Sequence, residues 1–277
     1  MREMTRKSMV NASEVEYATH SVNHVLGCKH GCLYCYAYKM DRRCGRTPSR
    51  DDWSDPTIVT NALEIVDREL ARPSASRIDR VHLSFMTDPF MFDAETGQCI
   101  EEIAELSIAL IRRVNAAGKP VTVLTKGVYP DRLVAALSDL SPDNQYGITV
   151  TSLNNEYVAQ WEPKAALPED RIRSLAALSR AGARTWVSIE PYPTPNIDPT
   201  APDLEALLES LRPFDKLVFG KMNYVPAVTA YEKSDPLFYE HAAAVFIAWC
   251  EANGKLYHVK RSTPLHNGDT SDFMSRM

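Results

Sequence analysis

A run of about eighteen apolar residues, the minimum for a bilayer-spanning helix, is absent from the 277 residues. Glycine is scarce, 11 against 18 prolines, which predicts a chain punctuated by fixed turns with few flexible linkers. A cationic excess is missing too: 31 Lys and Arg face 36 Asp and Glu, for a net charge of −5. Overall charge therefore gives no support to non-specific phosphate binding. The opening segment "MREMTRKSMVNASEVEY" carries two basic clusters but no apolar core, so no secretory signal is read. The expectation is a cytoplasmic chain in a reducing setting, where clustered cysteines act as metal ligands or redox groups more often than as disulfide partners.

Cysteine is also sparse, six in all, yet three of the six crowd into "GCKHGCLYCYA", Gly27 to Ala37. Cys28, Cys32 and Cys35 can hold three corners of a tetrahedral centre, but a structural zinc site is normally closed by four ligands in paired knuckles. No second pair exists: Cys44 lies nine residues on, and Cys99 and Cys250 are remote. His30, between two candidate ligands, is expected to point outward. Zinc held by the three cysteines and a distant fourth ligand stays open, as does an iron–sulfur electron carrier, which would have all its irons ligated. A cubane cluster with three protein thiolates and one open iron is the other chemistry that needs one ligand too few.

The rest of the chain alternates short β-branched runs with amphipathic helical patterns. "RVHLSFM", "PVTVLTK", "YGITVTS", "ARTWVSIE", "DKLVFGK" and "KLYHVKR" read as strands, with one more in "YATHSVNHVLG" before the cysteines. Helices are expected over "IEEIAELSIALIRRVNAAG", "PDRLVAALSDL", "PEDRIRSLAALSRAG", "DLEALLESLR" and "LFYEHAAAVFIAWCEANG". Another is expected over "TIVTNALEIVDRELA", capped by Asp55 with Pro56 at its first position. Such alternation implies βαβ crossovers and a parallel sheet, either open or curved into a partial barrel.

Polar residues at the strand ends favour the barrel, whose strand ends converge on one mouth. They are Cys28, Thr87 with Asp88, Lys126, Ser152 with Asn154, Glu190, Lys221 with Asn223, and Lys260. The division expected is a frayed lead-in over 1–19, a core barrel over 20–225, and a C-terminal helix and strand extension packed on the barrel over 226–277. The basic stretch "KMDRRCGRTPSR" reads as a solvated loop, with Arg42, Arg43, Arg46 and Arg50 leaving nucleic acid as a competing partner. Glu162 and Arg171 read as an ordinary surface pair.

The spacing C-x3-C-x2-C with Tyr34 before the last cysteine, placed after a first strand, resembles the radical S-adenosylmethionine superfamily. "MTDP" after the second strand, "TK" after the third and "SLN" after the fourth are similar to its spore photoproduct lyase-like branch, over roughly Asn23 to Pro193. The resemblance implies an α/β fold, a partial (β/α)6 barrel, binding one [4Fe-4S] cluster through Cys28, Cys32 and Cys35 and one S-adenosylmethionine. It also implies reductive cleavage of that cofactor to a 5′-deoxyadenosyl radical, which abstracts hydrogen from a substrate. Tyr34 is then expected near the adenine, Thr87 and Asp88 near the methionine amino group, and Lys126 on its carboxylate. Ser152 and Asn154 are expected at the ribose or carboxylate, and Glu190 at the substrate. A flavodoxin- or ferredoxin-like reductant is implied, and nucleic acid is one candidate substrate. The lesion lyase returns hydrogen from a cysteine near the end of its second strand. This chain has Phe85 and Met86 there, with Cys99 the nearest thiol, so that particular activity is not expected. Cys99 is itself expected as a small buried residue at a helix start.

Overall fold

The computed structural model describes residues 1–265. Eight strands form one sheet in chain order: β1 (Val10–Ala12), β2 (His20–Val22), β3 (Val81–Leu83), β4 (Val121–Thr125), β5 (Gln145–Thr149), β6 (Arg184–Tyr192), β7 (Lys216–Lys221) and β8 (Leu256–Val259). From β2 to β8 every neighbour is parallel, and only β1 runs antiparallel, against β2. Six parallel strands thus lie within residues 20–225, and β8 adds a seventh on β7. The sheet is a partial barrel, because its two edges, β1 and β8, do not pair.

Its central strands are buried on both faces, but only the face under the helices is apolar; the other carries His82, Thr122, Gln145, Ser188 and Lys216. Val121, Val123, Ile148, Val187, Leu217 and Phe219 have no solvent contact, each such burial contributing about 1.5–3 kcal/mol. The helices cover the outside. Glu101–Ala116 buries Ile103, Ile108, Ile111 and Val114, and Pro168–Arg180 buries Leu175 and Leu178.

Three local expectations fail. Thr57–Val59 is a strand rather than the start of a helix. It pairs with Arg2–Met4 on one side and Val25–Leu26 on the other, and the helix begins only at Ala62. Asp55 instead follows the short helix Arg50–Ser54. The first nineteen residues are not frayed: Arg2–Met4 and Val10–Ala12 are paired strands, and Met9 is fully buried with its amide held by Glu69 at 3.0 Å. Four helices went unread: Tyr36–Arg43, Arg50–Ser54, Asn155–Trp161 and Pro226–Ser234.

Side chains bridge the gap between the sheet edges where strands do not. Glu16, between β1 and β2, meets His258 Nε2 at 2.6 Å, Lys260 Nζ at 3.3 Å and the Arg261 amide at 3.3 Å, all at or just after β8. Burial alone would raise the Glu16 carboxyl, but the His258 hydrogen bond and the Lys260 charge outweigh it and bring it down to about 2. A folded pKa below the usual 4.5 means this latch contributes stability above about pH 4.5 and loses it as the pH falls toward 2. Glu16→Gln is therefore expected to lower the urea midpoint at neutral pH and to flatten the acid limb across that window. An unaltered acid limb would count against the latch.

Candidate functional site

The cysteine loop is fixed before any thiol is used. Gly27 stands at φ +83°, and a Cβ there would lie 2.5 Å from the Trp53 carbonyl oxygen, so only glycine fits the turn. The next residue donates its amide to that same carbonyl, Cys28 N–H to Trp53 O at 2.8 Å. Leu33 N–H reaches Trp161 O at 2.9 Å. Arg50 turns inward, its Nη1 3.4 Å from the Gly31 carbonyl oxygen and 3.2 Å from that of Cys32, while its guanidinium lies 4.2 Å from the centre of the Tyr38 ring. Arg50 is thus a brace of the loop and departs from the solvated reading of the basic stretch. Cys35 ends the loop as the cap of helix Tyr36–Arg43, its Sγ accepting the Tyr38 amide at 3.4 Å.

Two buried polar brackets tie this loop to the strand ends. His30 does not point outward. Its ring is 2% exposed, with Nε2 accepting the Phe92 amide at 2.7 Å and Nδ1 3.5 Å from Asp88. Burial lowers its pKa to about 4, against the pull of Asp88, so the ring is neutral. Asp88 in turn accepts Thr125 Oγ1 at 2.6 Å, the Phe90 amide at 3.0 Å and the Lys126 amide at 2.7 Å. The second bracket runs from the Tyr34 hydroxyl to Glu162, from Glu162 to Arg171 Nη2 at 2.5 Å, and from Arg171 Nη1 to the Thr149 carbonyl at 2.9 Å. Glu162 and Arg171 are each 1% exposed, so they are an interior pair and not a surface one. Burial would raise the Glu162 pKa, yet Arg171, Lys126 and the Tyr34 hydroxyl outweigh it and hold it below the usual range.

These brackets frame a cavity of about 460 Å³. All three cysteines line it, together with Tyr34, Thr87, Asp88, Lys126, Glu190, Lys221, Asn223 and Lys260. Convergence of polar strand ends on one mouth therefore holds, with one exception. Ser152 and Asn154 do not reach the cavity wall. The Ser152 hydroxyl accepts the Asn154 amide at 2.9 Å, and Asn154 caps the helix Asn155–Trp161 while its side-chain amide donates to Asp198 at 2.9 Å. That turn directs the chain outward, and Thr149 lines the cavity in their place. Thr87 donates its hydroxyl to the Gly27 carbonyl, another tie between strand end and loop. Lys126 Nζ sits 5.4 Å from the centre of the Tyr34 ring. Cys99 lies off the cavity, in the hairpin Phe92–Asp93/Gln98–Cys99, packed against the core with its thiol pKa raised by burial.

Sequence reasoning passed over Tyr17, His82 and Ser84, which also line the cavity. Tyr17 opens the run "YATHSVNHVLG", ahead of the paired strand His20–Val22, where nothing in the sequence marks it as facing a site.

The three cysteines are unpaired. Burial raises the Cys28 thiol well above its usual range, with Asp88 adding to the shift, and burial with Glu162 takes Cys32 up to about 12. Three soft donors on one braced loop, opening on a shared cavity, fit the three protein ligands of a cubane iron–sulfur cluster. Among the described residues no three His, Cys, Asp or Glu converge on a single-ion site.

A sequence model of the radical SAM superfamily matches residues 22–207. The chain belongs to the radical SAM superfamily. Membership implies a [4Fe-4S] cluster and S-adenosylmethionine, the cofactors of that family. It is 26% identical over 191 residues to uncharacterized proteins of Mycobacterium tuberculosis and Mycobacterium bovis, covering 68% of this chain and 54% of theirs. The chain thus spans about half the length of those relatives. An uncharacterized protein of Methanocaldococcus jannaschii is 21% identical over 214 residues, 77% of this chain and 73% of that one. Spore photoproduct lyase complexed with dinucleoside spore photoproduct shares the fold with a TM-score of 0.60 at 18% identity, covering 84% of this chain and 66% of that one. Streptococcus suis SuiB bound to S-adenosylmethionine does so with 0.58 at 8% identity, over 87% and 46%. SuiB has also been solved with its precursor peptide SuiA. Among the described residues no helix is long and apolar enough to cross a membrane.

Proposed function

We propose that Cys28, Cys32 and Cys35 hold a [4Fe-4S] cluster at three of its irons and that the same cavity receives S-adenosylmethionine and a substrate. The observation that carries this reading is one cavity onto which three thiols and polar side chains from the ends of β3, β4, β6, β7 and β8 open together. When bound, the cluster and S-adenosylmethionine supply a 5′-deoxyadenosyl radical that abstracts hydrogen, chemistry that belongs to the cofactors.

The chain's own part is placement and charge. The thiols must deprotonate to bind iron; Cys32 is buried, and Cys28 and Cys35 are half-buried on the cavity wall. Lys126, beside Tyr34, offers a cation for the carboxylate of the methionine moiety, and Tyr34 is held by Glu162 so that its ring faces the cavity. Asp88 acts first as a positioning residue, since His30, Thr125, Phe90 and Lys126 already engage its two oxygens. Thr87, at the same strand end, belongs to the same group.

Glu190 faces the substrate region. An external reductant is required by the class, and a flavodoxin- or ferredoxin-like protein of the cytoplasm suits it. The lyase neighbour was solved with a dinucleoside spore photoproduct and SuiB with a precursor peptide, which keeps nucleic acid and peptide as the two candidate substrate classes. Return of hydrogen from Cys99 is not part of the reading, because that thiol lies off the cavity.

Anaerobic incubation of the iron-reconstituted chain with dithionite and S-adenosylmethionine is expected to yield 5′-deoxyadenosine. A chain that loads iron and binds S-adenosylmethionine yet yields none would overturn this reading.

A further inference from the structure

The cavity has a second wall built largely from residues outside the family match at 22–207: Val15, Tyr17, Lys221 and Lys260, facing Glu190 from within it. Glu190 on β6 and Lys260 just after β8 both lean across β7 at Gly220. A Cβ at Gly220 would come within 2.9 Å of Glu190 Cγ and Cδ and of Lys260 Cγ, so the missing side chain is what lets the two meet. Tyr17 donates its hydroxyl to Glu190 Oε2 at 3.1 Å, and Lys260 Nζ stands 4.0 Å from that same oxygen. Lys260 is closer to Glu16, at 3.3 Å, and lies 4.5 Å from the centre of the Tyr17 ring. Its charge is thus shared between two carboxylates, and Glu16 holds the nearer claim.

The other oxygen of Glu190 has a different setting. Among the described residues no hydrogen bond reaches Oε1, and the side chain keeps 24% exposure in the cavity. The other lining carboxylate, Asp88, is engaged on both oxygens. Lys221, the remaining cation on this wall, is held by Glu232 at 2.8 Å. Glu190 is therefore the cavity's one partly balanced charge with an open acceptor among the described residues. Beside it, Phe85 stacks on His82 with ring centroids 4.2 Å apart and planes at 15°, and Tyr17 lies 6.2 Å from Phe85. The wall joins a flat apolar face to an acceptor of N–H groups.

We propose that Glu190, held by Tyr17 and Lys260 above Gly220, anchors the substrate through a hydrogen-donating nitrogen, so that the substrate is an amine or other N–H-bearing molecule with a flat apolar body. This rests on the reading of the cavity as the radical site, which makes its occupant a substrate. A carboxylate oxygen facing a cationic N–H forms the stronger, charge-assisted kind of hydrogen bond, and the same oxygen repels a carboxylate of equal shape.

The test uses two probes that share a ring and differ in charge, tryptamine and indole-3-propionate. Each is titrated calorimetrically into the reconstituted full chain with S-adenosylmethionine present. Tryptamine is expected to bind at least ~10-fold more tightly, the ratio that one hydrogen bond to a charged group supplies. Glu190→Gln, which keeps shape and the bond from Tyr17, is expected to bring that ratio to within about twofold. Lys260→Met works in the opposite direction: with its balancing cation gone, Glu190 should favour the amine more strongly.

Equal binding of the two probes, a preference that survives Glu190→Gln, or a preference lost in Lys260→Met would overturn the anchor. Formation of 5′-deoxyadenosine by the same preparations is read separately. Loss of the amine preference with product intact removes the anchor alone, whereas absent product with the preference intact removes the radical reading and leaves Glu190 an amine site whose occupant is not a substrate.

Discussion

Replacing Cys28, Cys32 and Cys35 together by alanine is expected to give a folded chain that neither retains iron after anaerobic reconstitution nor forms 5′-deoxyadenosine above background. The fold should survive because the loop is held by groups other than the thiols. Cys28 and Leu33 bind through their amides at 2.8 and 2.9 Å, Arg50 braces two carbonyls, and His30 bridges Phe92 and Asp88. What is lost is the donor set itself, and with three of four irons unheld no cubane persists. Cys44→Ala and Cys250→Ala serve as controls, since the first is exposed, the second is buried in the core, and neither lines the cavity. Both should load iron as the parent does. Iron and sulfide content, the visible absorption band and near-native circular dichroism read the outcome together. Iron retained in the triple variant would mean that other residues hold it.

Arg171→Met is expected to have the largest effect on stability, about 3–5 kcal/mol, because it leaves the Glu162 carboxylate buried without its partner. Three contacts fail at once: Nη2 to Glu162 at 2.5 Å, Nη1 to the Thr149 carbonyl at 2.9 Å and Nε to the Ala166 carbonyl at 2.7 Å. Against a total of about 5–15 kcal/mol for a domain, that is a large share. The double variant Glu162→Gln with Arg171→Met removes the stranded charge and should recover part of the loss, a sign that desolvation and not the bond alone sets the cost. Guanidinium unfolding of both variants reads the two values. A single variant no weaker than the double would contradict the account. Because Glu162 also receives the Tyr34 hydroxyl, the destabilised variant should load less iron even where it remains folded.

The strands were legible because buried parallel strands are short β-branched or apolar runs bounded by turn residues, as in "PVTVLTK" and "DKLVFGK". Thr57–Val59 shows where that reasoning stops. Asp55 and Pro56 have the chemistry of a helix start, but the β-branched run after them pairs with Arg2–Met4, more than fifty residues earlier, and no local pattern announces a partner that far away. Polar strand ends were informative for Asp88, Lys126, Glu190 and Lys260, since a charged group at the end of a buried strand is costly unless it is used. They misled at Ser152 and Asn154, where a two-residue side-chain turn takes the chain away from the cavity. For Glu162, Arg171, Glu16 and Tyr17 no periodicity along the sequence points to a role. Their roles come from partners across the fold, Glu16 with His258 and Tyr17 with Glu190, which spacing along the sequence does not encode.

The claim beneath all of this is that one iron of the cluster is left for S-adenosylmethionine to bind. Electron paramagnetic resonance of the reduced, reconstituted chain, recorded before and after addition of S-adenosylmethionine, tests it most directly. The spectrum is expected to change on addition in the parent chain, because the cofactor takes up the coordination position that the three thiols leave open. A spectrum that is the same with and without S-adenosylmethionine would mean that the fourth position is already filled by the protein, and the account would fail.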